Sequence, residues 1–256
     1  MNTADRAEAI LEEAILEDTL HNLRSAFTPD GWDRLYFDLE GTPPPQHKWR
    51  LERDIKDVLT DAPPVVHAVP VNNKTARIHV LILGAADTPY DGGFFNFLTQ
   101  CPPEYPLKPP PFGLINNDGG SVRFNPDFYV SGMVGLGLLE TFLWPAWSPA
   151  MRLEDALVSI RSLLSKRLYF DQRGIHGDLR ELYSDRYNRV VQHETIRVAV
   201  CDIVEGCLKR SSQCLQQLRQ VILKTFLYRY KKYAKVLKSK FDLTGTTMCD
   251  VFGSLR

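Results

Sequence analysis

The chain has 256 residues, of which 44% are hydrophobic and 24% charged, with 31 Lys plus Arg balancing 31 Asp plus Glu. That length holds one large domain, or one domain with extensions. Zero net charge excludes a global field for nucleic acid or an anionic membrane, and no apolar run approaches the roughly 18 residues of a membrane span.

In chain order, residues 4–27 predict an amphipathic helix. Ile10, Leu11, Ala14, Ile15, Leu20, Leu23 and Phe27 recur mostly at helical intervals, and charged residues fill much of the other side. This start is acidic and lacks the basic opening and apolar middle of a secretory signal, so a cytoplasmic or nuclear location is expected. A Pro-rich break follows at Thr42-Pro43-Pro44-Pro45. A second helix is predicted over 47–60, with Trp49, Leu51, Ile55, Val58 and Leu59 as its buried face, and Pro63-Pro64 ends it.

Residues 76–83 and 93–99 are rich in β-branched and aromatic side chains and read as strands. Between them, the run from Asp87 to Gly93 is a turn: Pro89 fixes φ, and the glycines permit positive φ. A short strand around 111–114 completes a three-strand meander. Leu153, Ala156, Leu157, Ile160, Leu163 and Leu164 mark a further amphipathic helix, and 180–240 reads as helical in two or three segments.

The five cysteines, Cys101, Cys201, Cys207, Cys214 and Cys249, are odd in number and form no CxxC pair. They signal neither a disulfide framework nor a metal site, and buried free thiols are expected. No motif calls for a cofactor. From Lys209 to Arg256 eleven basic residues face two acids, Asp242 and Asp250. Lys231, Lys232, Lys235, Lys238 and Lys240 stand among Tyr228, Tyr230, Tyr233 and Phe241. This is either a patch for an acidic partner or a solvated helix side whose aromatics pack inward.

Four motifs stand in order: Thr88-Pro89-Tyr90-Asp91-Gly92-Gly93, Tyr105-Pro106-Leu107-Lys108-Pro109-Pro110, Trp147-Ser148-Pro149-Ala150 and Tyr187-Asn188-Arg189. With the stretch from Phe124 to Pro149, they resemble the ubiquitin-conjugating (UBC) family over about residues 47–195. The resemblance sharpens toward a large branch that extends beyond the core on both sides. It implies an α+β UBC fold, an antiparallel meander flanked by helices. Residues 1–46 would be an N-terminal helical extension and linker, and 196–256 a basic helical C-terminal extension.

The same resemblance implies the site. The family's reacting thiol lies eight residues after a His-Pro-Asn-like tripeptide. Here the tripeptide is Asn125-Pro126-Asp127, and Gly135 stands where the cysteine belongs. A glycine forms no thioester. The tripeptide's last residue is an oxyanion-stabilising Asn in the family; ionised Asp127 only accepts hydrogen bonds, and its charge opposes the developing negative charge. Ser131 and Thr141 lie nearby, but no local base activates them. Gly132, Gly135 and Gly137 lack the following Lys-Ser/Thr of a phosphate loop. The resemblance also implies an activating-enzyme helix carrying Lys48, Arg50, Arg53 and Lys56, and a ligase-docking surface of Leu107, Lys108, Ser148, Pro149 and Ala150.

Three readings follow. One is a catalytically inactive member of the ubiquitin pathway, a pseudoenzyme that binds ubiquitin or a ubiquitin-like modifier, a ligase, an activating enzyme or an active conjugating enzyme. Another is an active transferase whose cysteine has been altered at 135. The last is a scaffold whose basic C-terminal helices bind an acidic partner.

Overall fold

The computed structural model describes residues 44–61, 63–71, 77–129, 131–135, 147–164, 179–209 and 216–240. The helix expected at 4–27 lies outside them, as do Thr141, Cys214, Cys249 and Phe241.

Helix α1 runs Pro45–Asp61. It begins on a proline, whose missing N–H costs nothing in a first turn, and stops just before Pro63-Pro64. A four-stranded antiparallel sheet follows in the order β1-β2-β3-β4: β1 is Val66–Pro70, β2 Arg77–Leu83, β3 Phe94–Gln100 and β4 Phe112–Leu114. The meander is therefore one strand longer than expected. Strand β1 is an edge strand that closes on Pro70, a residue tolerated there because no neighbour needs its N–H. Helix α2 is Leu153–Leu163 and α3 is Leu179–Ile196. A π-helical segment, Arg197–Asp202, leads without a break into α4, Ile203–Lys209; α5 is Gln216–Ser239.

Strand alternation sends side chains to two cores. Ile78, Val80, Ile82, Phe95 and Phe97 join the first, with α1, α2, Phe124, Phe128, Tyr187 and Val191. Leu81 and Phe94 point the other way and pack with Val200, Val204, Leu218, Ile222 and Tyr233 of the C-terminal helices. The stripe predicted for α2 is buried in full, including Leu164 just beyond it. In α1, Leu51 and Val58 are buried and Ile55 packs against the core, but Trp49 is 64% exposed and Leu59 also faces out. The contact-making position between them is instead Asp54, 1% exposed.

The expectation of buried free thiols needs correction. Cys101 is buried and free, Cys201 is free but exposed, and Cys207 is in a disulfide whose partner lies outside the described residues.

Candidate functional site

The segment from Val122 to Gly135 is locked from below. Phe124 is fully buried and its carbonyl accepts two phenol hydroxyls, from Tyr90 at 2.7 Å and Tyr187 at 2.8 Å. Tyr90 comes from the Thr88–Gly93 turn and Tyr187 from α3, so two of the sequence motifs converge on a third. Phe95 meets Phe124 edge-on with ring centroids 5.1 Å apart.

Asn125 is fully buried. Its Nδ2 donates to the Leu163 carbonyl at the end of α2 (2.7 Å), and its Oδ1 accepts from the Asp127 N–H (2.7 Å). Both ends of this amide are committed inside the protein, where they hold the turn. Arg123 braces the same turn from outside: Nε donates to the Phe128 carbonyl (3.1 Å) and a terminal nitrogen to that of Pro126.

Beyond the turn the chain folds back as a small hairpin. Phe128 bridges Val134, Gly132 turns at φ 86°, and the second arm attaches to β4 through Val134 N–H to Phe112 O at 2.9 Å. This register sets Asp127 opposite Gly135, whose N–H donates to the Asp127 carbonyl at 2.7 Å. The two positions that the sequence resemblance singles out as departures are thus brought together.

Gly135 is not among the glycines with positive φ, so its backbone suits an ordinary L residue. The space is another matter. A Cβ built there would lie 2.9 Å from Cε2 of Tyr129 and 3.3 Å from its hydroxyl oxygen. Tyr129, itself 44% exposed, lies over the point where a side chain at 135 would emerge. Neither Tyr129 nor Arg123 was singled out by sequence; a lone exposed tyrosine acquires this role only through the hairpin register.

Burial lifts the Asp127 carboxyl above its ordinary value of 3.8, against the pull of Arg123. The sign follows from linkage: a carboxyl that prefers its proton in the folded state weakens the fold once it is ionised. Asp127→Asn is therefore expected to stabilise the protein at neutral pH. The gain should fade as pH falls through the raised folded value and vanish below about 3.8, where both states are protonated. Urea unfolding of both proteins across pH 3–7 checks it.

Among the described residues no stand-in thiol is poised nearby. Burial pushes Cys101 far up, and Asp54 adds to the shift; partial burial, Asp202 and Glu205 raise Cys201. Among the described residues no cluster of His, Cys, Asp or Glu could hold a metal ion.

The two loops that carry the expected docking residues are tied to α1, and buried Asp54 is what joins them. Its carboxylate accepts from Arg50 Nε (2.7 Å), Tyr105 OH (2.5 Å) and Arg53 (3.4 Å). Arg50 also donates to the carbonyls of Met151 (2.7 Å) and Pro149 (3.4 Å). Trp147 Nε1 donates to the Pro106 carbonyl (2.7 Å). The Tyr105–Lys108 loop, the Trp147–Ala150 loop and α1 are thereby fastened together. Leu107 protrudes at 61% exposure, with Lys108, Pro149 and Ala150 exposed around it, while Ser148 is half-buried and its hydroxyl accepts from the Ala150 N–H. Of the four basic residues expected on α1, Lys48 and Lys56 are exposed, Arg53 lies over the Trp49 ring at 5.1 Å, and Arg50 is spent inside. Asp54→Ala is expected to cost about 3 kcal/mol in urea unfolding, near the low end for a broken buried pair because Arg50 keeps some solvent contact. Asp54→Asn, which still accepts from Tyr105, should cost less.

The family model described as ubiquitin-conjugating enzyme matches residues 50–199. Ubiquitin-conjugating enzyme E2 Z of Xenopus tropicalis is 44% identical over 207 residues, covering 81% of this chain and 65% of that protein. The Homo sapiens E2 Z is 42% identical over 212 residues, 83% of this chain and 59% of its own. The Danio rerio E2 Z is 42% identical over 207 residues, with 81% and 62% covered. The chain thus spans between 59% and 65% of the length of these curated relatives.

Proposed function

The chain belongs to the ubiquitin-conjugating enzyme family, and from that footing we propose that it works in the ubiquitin pathway by binding, without carrying a thioester. The observation that carries this reading is the pairing of Gly135 with Asp127 across one hydrogen bond, under Tyr129. The family's covalent step needs a thiolate at 135 and an amide donor at 127. Here the first position has no side chain, the second holds an acid, and an aromatic ring occupies the space above the first. The described scaffold around them, from the Phe124 carbonyl to the docking loops, is tied by hydrogen bonds, which suits a binding role.

The partners follow from the surface that remains. A ligase would dock on Leu107, Lys108, Ser148, Pro149 and Ala150. An activating enzyme would meet α1 at Lys48, Lys56 and the Trp49–Arg53 stack. Ubiquitin, a ubiquitin-like modifier or an active conjugating enzyme would complete the assembly, in the cytoplasm, the nucleus or both. By holding a ligase without charging, the protein would compete with members that do charge.

The backbone of Gly135 favours a second reading, an active transferase altered at one position, because it accepts a side chain without left-handed strain. A charging assay separates the two. The protein is incubated with ubiquitin, ATP and activating enzyme and resolved without reductant. No adduct is expected; a ubiquitin adduct removed by thiol reductant would overturn the binding-only reading.

A further inference from the structure

The inward stripe of α5 is Leu218, Ile222, Phe226, Arg229, Tyr233 and Val236. Arg229 and Lys232 both grip Asp91, at 2.8 and 2.5 Å, and Tyr233 OH donates to the Gly92 carbonyl at 2.9 Å. With 100° per residue, Lys224, Leu227, Tyr228, Lys231, Lys235 and Lys238 fall on the opposite side. All six are exposed, with Leu227 at 72% and Tyr228 at 89%. None of the four lysines has a carboxylate partner among the described residues. The helix holds no Asp or Glu at all. Among the described residues it is therefore a strip of positive charge without ion partners, with a leucine and a tyrosine at its middle.

The same chain carries the complement. Residues 1–43 hold ten acids against three bases. Within 4–27, Asp5, Glu8, Glu12, Glu13, Glu17 and Asp18 flank the apolar series from Ile10 to Phe27. As a helix this segment would be about 36 Å long, matching the 24 residues of α5. Reach is sufficient. The chain enters the described fold at Pro44, helix α1 packs on β1, and β1 touches α5. Residues 28–43 span up to roughly 50 Å when extended.

We propose that the acidic amphipathic segment 4–27 docks along the outer face of α5, setting its carboxylates against Lys224, Lys231, Lys235 and Lys238 and its apolar stripe against Leu227 and Tyr228. The basic strip is then an internal docking site. Its occupant is a helix of this chain's own charge pattern. Salt weakens the contact, because the screening length falls from about 10 Å at 0.1 M to about 3 Å at 1 M.

The test uses the intact chain and a carbodiimide, which joins a carboxylate to an amine where the two touch. Light and heavy isotope-labelled chains are mixed, cross-linked at low concentration and mapped by mass spectrometry. Links from Glu8, Glu12, Glu13 or Glu17 to the four lysines are expected within single chains, weakening in 1 M salt. Lys231→Glu with Lys235→Glu should abolish the links to Lys224 and Lys238 as well. Adding Glu12→Lys and Glu13→Lys should restore contact with the signs exchanged. Absence of links overturns the proposal, as do links found only between light and heavy chains, which would make the occupant a second copy. Binding of the intact protein to phosphatidylserine vesicles, lost in the lysine variants and without cross-links, would also overturn it in favour of a membrane surface.

Discussion

Gly135→Cys is expected to form a reducible ubiquitin adduct slowly, and the same variant carrying Tyr129→Ala is expected to form it faster, by up to about 10²-fold. The argument is local. The backbone at 135 accepts a side chain, and the platform of Phe124, Asn125 and Arg123 already fixes its position. What opposes the thiol is the ring edge of Tyr129, 2.9 Å from the new Cβ. That ring is the far end of a partly exposed side chain, so it swings aside, but a thiol approaching a carbonyl must wait for it. Single-turnover charging of both variants measures the difference. Equal rates would mean that Tyr129 is no obstacle; no adduct from either would mean that the family's covalent site is not at 135.

The second large effect lies in the step after charging. In the Gly135→Cys protein, Asp127→Asn is expected to speed discharge of ubiquitin onto free lysine by roughly 10²–10³-fold, while charging changes little. Asp127 stands one hydrogen-bonded rung from residue 135 through its backbone carbonyl, and burial raises the proton affinity of its carboxyl, whose charge is poorly solvated there. An oxyanion forming beside it meets a second negative charge and no donor. The amide replaces both defects, removing charge and supplying N–H groups. Discharge rates that do not differ would remove Asp127 from the account of the missing chemistry.

The parts of the fold legible in the sequence are those written in local pattern. Strands β2 and β3 follow from their β-branched and aromatic runs, the turn between them from Pro89 and Gly92, and α2 from an apolar stripe that is buried to the last residue. Strand β1 escaped because His67 and Pro70 break its pattern and two prolines precede it. Trp49 was misplaced because helix α1 has more apolar residues than its contact face needs, and the face is decided by Tyr105, 51 positions away from Asp54. The absence at 135 and the acid at 127 were readable as letters. Their adjacency was not, since it depends on the hairpin register that Gly132 permits. The basic helix divided differently from either expectation: Tyr233 packs inward, whereas Tyr228 and Tyr230 face out.

The second core has a consequence for how the protein is destroyed. Leu81 and Phe94 belong to the sheet, yet they are covered by residues that arrive more than a hundred positions later. Loss of α5 would uncover part of that cluster's apolar face, leaving Val200, Val204 and Cys207 over it, and free Asp91 and Gly92 from their grip. Cellular quality control reads such a face as damage. A cut ahead of α5 would therefore mark the molecule for removal through the second core alone, while the first core, which no residue of α5 enters, stays closed.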